Sequence, residues 1–144
     1  MENSPMLKSE KFNHLKIKKL ASPYKYVLFQ DSASFWEGVE LLKIQSSSEP
    51  YFLFHHESDH SMMVTADLNL LGSKEETGWR ALQIVGDMPF GTVQGLIAEI
   101  SESLRKEGLG LCVISTFLTD FFFIKNAVFD EAIRILKKDG WDFL

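Results

Sequence analysis

Residues 114–126 read ISTFLTDFFFIKN, and the fold turns on this stretch. Ile114, Phe117, Phe121, Phe122, Phe123 and Ile124 are as apolar as a core, yet Ser115, Thr116, Thr119 and Asp120 interrupt them. Two apolar runs, 111–117 and 121–125, separated by a tight turn around 118–120, predict an antiparallel hairpin. Successive side chains on a strand point to opposite faces, so three consecutive phenylalanines make both faces apolar. A second layer, an adjoining sheet or a second subunit must cover the face that its own helices leave open.

Working outward, Asn126 is placed to cap a helix whose stripe is Val128, Ala132, Ile133 and Leu136, with Gly140 ending it and a short strand at 141–143. Upstream, 79–85 reads as a strand and GDMPFG (86–91) as a turn. Val93, Leu96, Ile97, Ile100 and Leu104 follow as a helical stripe that Gly108 closes. The order from 79 to 144 is therefore βαββαβ, the ferredoxin-like arrangement, in an α+β chain.

The N-terminal half is less regular. Residues 1–12 read as a loose tail. Strands are expected at 15–20 and 26–29, and SASFWEGVELLKI (32–44) as a helix with Ser34 and Glu37 at capping-box spacing. SSSEP (46–50) reads as a loop, and 51–54 with 62–65 as a hairpin around the polar turn HHESDH (55–60). GSKEETG (72–78) reads as a linker. The expected organisation is a small unit over 13–71 packed with a full unit over 79–144.

Composition narrows the functional classes. The chain has 144 residues, 45% hydrophobic and 24% charged, with a net charge of −5. That balance argues against a nucleic-acid partner. The locally basic KSEKFNHLKIKKL (8–20) reads as a solvated strand edge. Cys112 is the single cysteine, so no intrachain disulfide forms and a reducing cytoplasm is expected, with the thiol as a small core residue. No apolar run approaches the ~20 residues that span a bilayer, and the N-terminus lacks the apolar core of a signal peptide. Neither a nucleophile–base constellation nor a phosphate or dinucleotide fingerprint stands out, which points away from an enzyme. His55, His56, Glu57, Asp59 and His60 include metal-ligating types, but His55 and His56 face opposite ways, and a solvated hairpin tip is the simpler reading. Trp36, Trp79 and Trp141 read as packing residues.

Three segments carry a family resemblance: GWRALQIVG (78–86), GTVQGLIAEISESLRKEGLGL (91–111) and, most specifically, ISTFLTDFFFIK (114–125). Together they resemble ACT-domain proteins, in particular a small tandem group that includes the cytosolic arginine sensors of growth signalling. HHESDHSMMVTAD (55–67) resembles the family's preceding hairpin only weakly, and residues 1–50 match in outline. The resemblance implies two ACT-like units in one chain, homodimerisation, binding of a small effector such as an amino acid where units meet, and no catalysis or cofactor.

Read as chemistry, two loops form a candidate site. In GDMPFGT (86–92), Gly86 and Gly91 permit close backbone approach, and the helix start around 91–93 offers amides to a carboxylate. Asp87, Phe90 and Thr92 complete that loop, with Met88 and Phe90 making it bulkier than the Asp-x-x-Gly loop of many amino-acid-binding ACT domains. In STFLTD (115–120), Asp120 is placed to take an ammonium, and Thr116 or Thr119 to add a hydroxyl. A zwitterion needs one end of each kind. The bland alternative is that Thr119 and Asp120 only close a hairpin and the glycines only shape a turn. A ligand-free interaction module that dimerises through its sheet face is the competing function.

Overall fold

The computed structural model describes residues 7–45, 48–88 and 95–144. In chain order the elements are β1 (Lys16–Lys19), β2 (Tyr24–Leu28), α1 (Ser32–Gln45), β3 (Phe52–His56), β4 (Asp59–Thr65), β5 (Lys74–Val85), α2 (Leu96–Arg105), β6 (Cys112–Ser115), β7 (Asp120–Lys125) and α3 (Phe129–Lys138). Short 3-10 turns occupy Glu10–Phe12 and Asn126–Val128. The fold is mixed α+β with antiparallel strand pairing, as the sequence pattern predicts. By contact the chain divides into Ser22–Trp79 and a discontinuous unit of Met1–Ala21 with Arg80–Leu144.

The discontinuous unit has the order β6-β7-β5-β1, with β5 contributing residues 82–85 to its ladder with β1. Numbered from β5, that is the ferredoxin-like 4-1-3-2 order, with β1 standing in the fourth place. Residues 141–143 were the expected fourth strand. They give only one parallel bridge, Ile17 to Phe143. The reason is packing. Ile17 is buried while the flanking lysines are exposed, so β1 presents one apolar side to the core and four residues of ladder. The strand expected at 15–20 is therefore real but serves the C-terminal half.

Leu96, Ile100 and Leu104 of α2 and Ala132, Ile133 and Leu136 of α3 pack with Leu82, Ile84, Phe122 and Ile124. Of the expected stripes, Ile97 is exposed, Val128 packs at the margin, and Val93 lies outside the described residues. Both helices end as read. The Leu109 amide donates to the Leu104 carbonyl and the Trp141 amide to the Leu136 carbonyl, with Gly108 and Gly140 left-handed at the turns. These are paired Schellman closures. Asn126 does not cap α3 with its side chain; it opens the 3-10 turn, and Val128 precedes the helix without a side-chain cap. Nor is the described part of the N-terminal segment loose. The Lys8 amide donates to the Asp139 carbonyl, the Ser9 amide and hydroxyl both donate to the Glu99 carboxylate, and buried Phe12 stacks on Trp141 at 5.8 Å.

The unit Ser22–Trp79 has the order β3-β4-β2-β5, using the first half of β5. Val27, Phe29, Met62 and Val64 pack against Phe35, Val39 and Leu42 of α1. The expected linker at 72–78 is largely strand: Lys74 pairs with Leu28, Glu75 with Val27 and Glu76 with Tyr26. The glycine that read as a breaker is a bulge, since Gly78 has φ +85° where the register shifts between Tyr26 and Tyr24. Within it Glu75 is paired: buried Lys25 bonds the Glu75 carboxylate at 2.8 Å and the Leu68 carbonyl at 2.6 Å. The capping box also moves. Asp31 precedes α1, its Oδ1 accepting the Ser34 amide at 2.8 Å while the Ser34 hydroxyl accepts the Asp31 amide. Ser34 thus fills the N3 place and not the cap itself. The polar turn of the β3–β4 hairpin contracts to Glu57 and Ser58.

Two predictions follow from these contacts. Lys106 approaches Asp139 at 3.2 Å, and Asp139 is fully buried at the end of α3. Lys106→Ala therefore strands a buried carboxylate and lowers unfolding stability by about 3 kcal/mol in denaturant titration, part of which the further change Asp139→Asn restores. The Ser34 amide holds the Asp31 carboxyl below its ordinary 3.8. That contribution is complete above pH 3.8 and is lost as pH falls through the lowered folded value. Asp31→Asn keeps a capping oxygen, so its stability falls less steeply than wild type below pH 3.8.

Candidate functional site

The candidate site is built at one end of the discontinuous unit, where β5 runs out and the β6–β7 hairpin turns. Past Val85, Gly86 takes φ +135°. A Cβ there would stand 2.8 Å from Leu15 Cδ2 and 3.1 Å from the His14 carbonyl oxygen. Glycine is required both for that backbone angle and for this close approach. The next carbonyl, of Asp87, lies 3.0 Å from His14 Nε2. The segment before β1 therefore braces the outgoing loop, 73 residues away in sequence.

The hairpin turn lies earlier than the expected 118–120, and β6 ends at Ser115. Asp120 is the first residue of β7, paired across β6 with Ser115, and the turn is carried by residues 116–119. The Thr116 amide donates to the Thr119 carbonyl at 2.8 Å, and the Thr116 hydroxyl accepts the Thr119 amide at 3.1 Å. The Thr119 hydroxyl donates to the Ile84 carbonyl at 2.6 Å. That bond fixes the hairpin end beside the end of β5, two residues from Gly86. Both threonine hydroxyls are thus bonded to backbone groups at the turn.

Asp120 differs. It is 8% exposed, and its alternation puts it on the same face as Phe122 and Ile124, the face that packs on the helices. Its carboxylate has no hydrogen bond or ion pair among the described residues. A carboxylate on so apolar a face is placed to take a cationic group. Between Thr116 and Thr119, Phe117 and Leu118 are each 74% exposed. Phe90, Gly91 and Thr92 lie outside the described residues, as does the expected carboxylate-binding helix start at 91–93. The described helix begins at Leu96 after Gly95, which has no side-chain cap.

The structure thus brings Gly86, Asp87, Thr119 and Asp120 to one end of the sheet. It adds His14, Leu15 and Ile84, which sequence reasoning missed. Ile84 and Leu15 act through backbone and bulk, and no local signal in the sequence marks them.

The histidine hairpin assembles less. His55 and His60 are directly opposed, with ring centroids 4.8 Å apart, and Phe35 and Trp36 lie against the His55 ring. His56 instead meets Asp59 at 3.7 Å. Among the described residues no group of three or more metal-ligating side chains converges. No helix is long and apolar enough to cross a membrane among the described residues.

Residues 74–138 match the ACT domain. No curated protein matches the chain. Among solved structures, protein Atu0741 from Agobacterium tumefaciens superposes with a TM-score of 0.72 at 17% identity, covering 91% of this chain and 92% of that one. VC0802 from Vibrio cholerae, a protein of unknown function and possible transport protein, gives 0.66 at 15% identity, with 90% and 92% covered. The ligand-free regulatory subunit of aspartate kinase from Thermus thermophilus gives 0.63 at 10% identity, with 86% and 96% covered. At these identities the likeness is one of fold, ferredoxin-like and α+β, with residues 74–138 similar to the ACT domain.

Thr119→Val keeps the shape and removes the bond to Ile84, whereas Thr119→Ser keeps the hydroxyl. The valine variant is expected to lose about 1 kcal/mol in denaturant unfolding and the serine variant to retain that bond's contribution.

Proposed function

We propose that the protein is a non-catalytic regulatory module that binds a small amino-acid effector at the end of the sheet between Gly86 and Asp120. The observation that carries this reading is Asp120, 8% exposed on an apolar face, whose carboxylate has no hydrogen bond or ion pair among the described residues. It stands beside a loop whose backbone is held open by a glycine, with no counter-charge among the described residues. In this reading Asp120 takes the effector's ammonium. Gly86 and Asp87 offer close backbone approach, and the loop through Phe90, Gly91 and Thr92 supplies amides for the carboxylate. Thr116 and Thr119 shape the site and do not touch the ligand.

The ACT match and the fold of the aspartate kinase regulatory subunit support regulation over catalysis. The finer assignment, to the tandem-ACT group related to the arginine sensors and acting as a homodimer, belongs to this proposal. The unit Ser22–Trp79 supports it: its β3-β4-β2-β5 order is the 4-1-3-2 order again, with one helix in place of two. Binding would shift an assembly only through a difference in affinity between its states. The exposed Phe117 and Leu118 favour a second reading, in which the hairpin tip anchors a protein partner without any effector.

A thermal-shift series against the twenty amino acids separates the two. An effector at ~100 times its Kd adds ~2.7 kcal/mol, several degrees for a chain of this size. The expected outcome is a selective rise in Tm that Asp120→Asn abolishes. A flat series with the wild-type protein would leave the interaction module as the function.

A further inference from the structure

The histidine pair of the β3–β4 hairpin lies within the unit Ser22–Trp79 and is independent of the Asp120 site. Glu57, at φ +38°, and Ser58 make a two-residue turn. His56 and Asp59 close it, and His55 opposes His60 one step further on. The His60 carbonyl points the other way, accepting the Phe29 amide at 2.8 Å. His55 and His60 are therefore a non-hydrogen-bonded pair, the kind in which opposed side chains approach most closely. Alternation puts both rings on the α1 side of the sheet, the side on which Met62 and Val64 pack. His56 falls on the opposite face and meets Asp59.

Both rings are positioned, and each keeps a nitrogen without a protein partner. The Ser32 hydroxyl lies 3.3 Å from His55 Nε2, and Phe35 and Trp36 lie against the ring at centroid distances of 5.2 and 5.3 Å. An N–H donated from Nε2 to that hydroxyl leaves the Nδ1 lone pair free, the outer bond that fixes the tautomer of a ligating imidazole. His60 is 6% exposed, and its Nδ1 is shut off from water with no hydrogen bond among the described residues. A buried polar atom left unmet calls for a partner. The two ring centroids stand 4.8 Å apart. Two imidazoles bound to one ion at ~2.1 Å and a tetrahedral angle place their centroids about 5 Å apart.

We propose that His55 and His60 bind one divalent transition-metal ion, zinc or copper, through one nitrogen of each ring, with water in the remaining positions. Imidazole suits these ions, whereas calcium and magnesium need oxygen ligands that the pair does not offer. His55 is exposed, so the water positions open to solvent. Negative charge lies near: the Asp31 carboxylate feels His60, after the larger effect of its bonds to Ser34. Because the rings sit on strands already joined by a two-residue turn, the ion closes almost no new loop. That marks a reversible binding site and not a structural zinc.

The test is a calorimetric titration of the untagged full chain with zinc chloride, followed by copper(II). Two ligands give roughly half the binding free energy of a four-ligand zinc site, so one ion per chain is expected with a Kd on the order of 10 µM. His55→Gln and His60→Gln each weaken binding by more than the ~10-fold that losing an outer partner costs. His14→Gln, His56→Gln and Asp120→Asn leave it unchanged. The copper spectrum in electron paramagnetic resonance shows coupling to two nitrogens. His60 is buried, so circular dichroism checks that its variant folds; exposed His55 carries the test if it does not. The proposal is overturned by no saturable binding up to about 1 mM zinc, or by equal affinity in His55→Gln. Loss of binding in His14→Gln or His56→Gln instead would mean an adventitious ion only and leave the pair a ring stack. One ion per two chains would overturn it as well, since the ligands would then come from two copies.

Discussion

The antiparallel ladder between Lys16–Lys19 and residues 82–85 is the constraint on which the discontinuous unit depends. It brings Leu15 and Ile17 into a core with Ile84 and Leu82, and it seats Phe12 on Trp141. Its closest partners, Lys19 and Leu82, are 63 residues apart, with all of Ser22–Trp79 between them in sequence. Closing so long a loop costs entropy before any contact offsets it. The unit Ser22–Trp79 has its own core and hairpin, and its local pairs can form first and shorten that search. The same ladder positions chemistry: the segment that leads into β1 is the one that presses on Gly86 and reaches the Asp87 carbonyl.

The polar cluster in the β6–β7 hairpin then separates into two kinds of group. Thr116 and Thr119 satisfy backbone partners and weld the turn to β5. Asp120 is left on an apolar face with Phe122 and Ile124 as its neighbours along the strand. A chain that only needed a turn would be served by the threonines. Asp120 is the residue whose side chain the turn does not use, which is why the functional reading rests on it.

Several elements were legible because their signals are local. The stripes of α2 and α3, the glycines that end them, and the β6–β7 pairing depend on residues within a few positions of one another. Two of the misread stretches share one physical cause: a partner distant in sequence overrode local propensity. GSKEETG looks like a linker until Lys25 neutralises Glu75 and Gly78 is absorbed as a bulge. Residues 8–12 look like a tail until Glu99 and Asp139 hold them. At the site, Asp120, Gly86 and the threonines were visible as residue types in loops. Their division into structural and available groups was not, since it depends on which hydroxyl reaches the Ile84 carbonyl.

Periodicity and turn chemistry are properties of a few neighbouring residues, so the α+β class and the succession of strands and helices could be read directly from the chain. Which strand fills the fourth place beside β5 is a competition between Lys16–Lys19 and the segment 141–143. Both have suitable residues, and burial of Ile17 with a four-residue ladder settles it in favour of the first. The same holds for function. Composition and motif pointed to a binding protein, but whether a carboxylate is spent on its own turn or left for a partner is decided by distances in three dimensions.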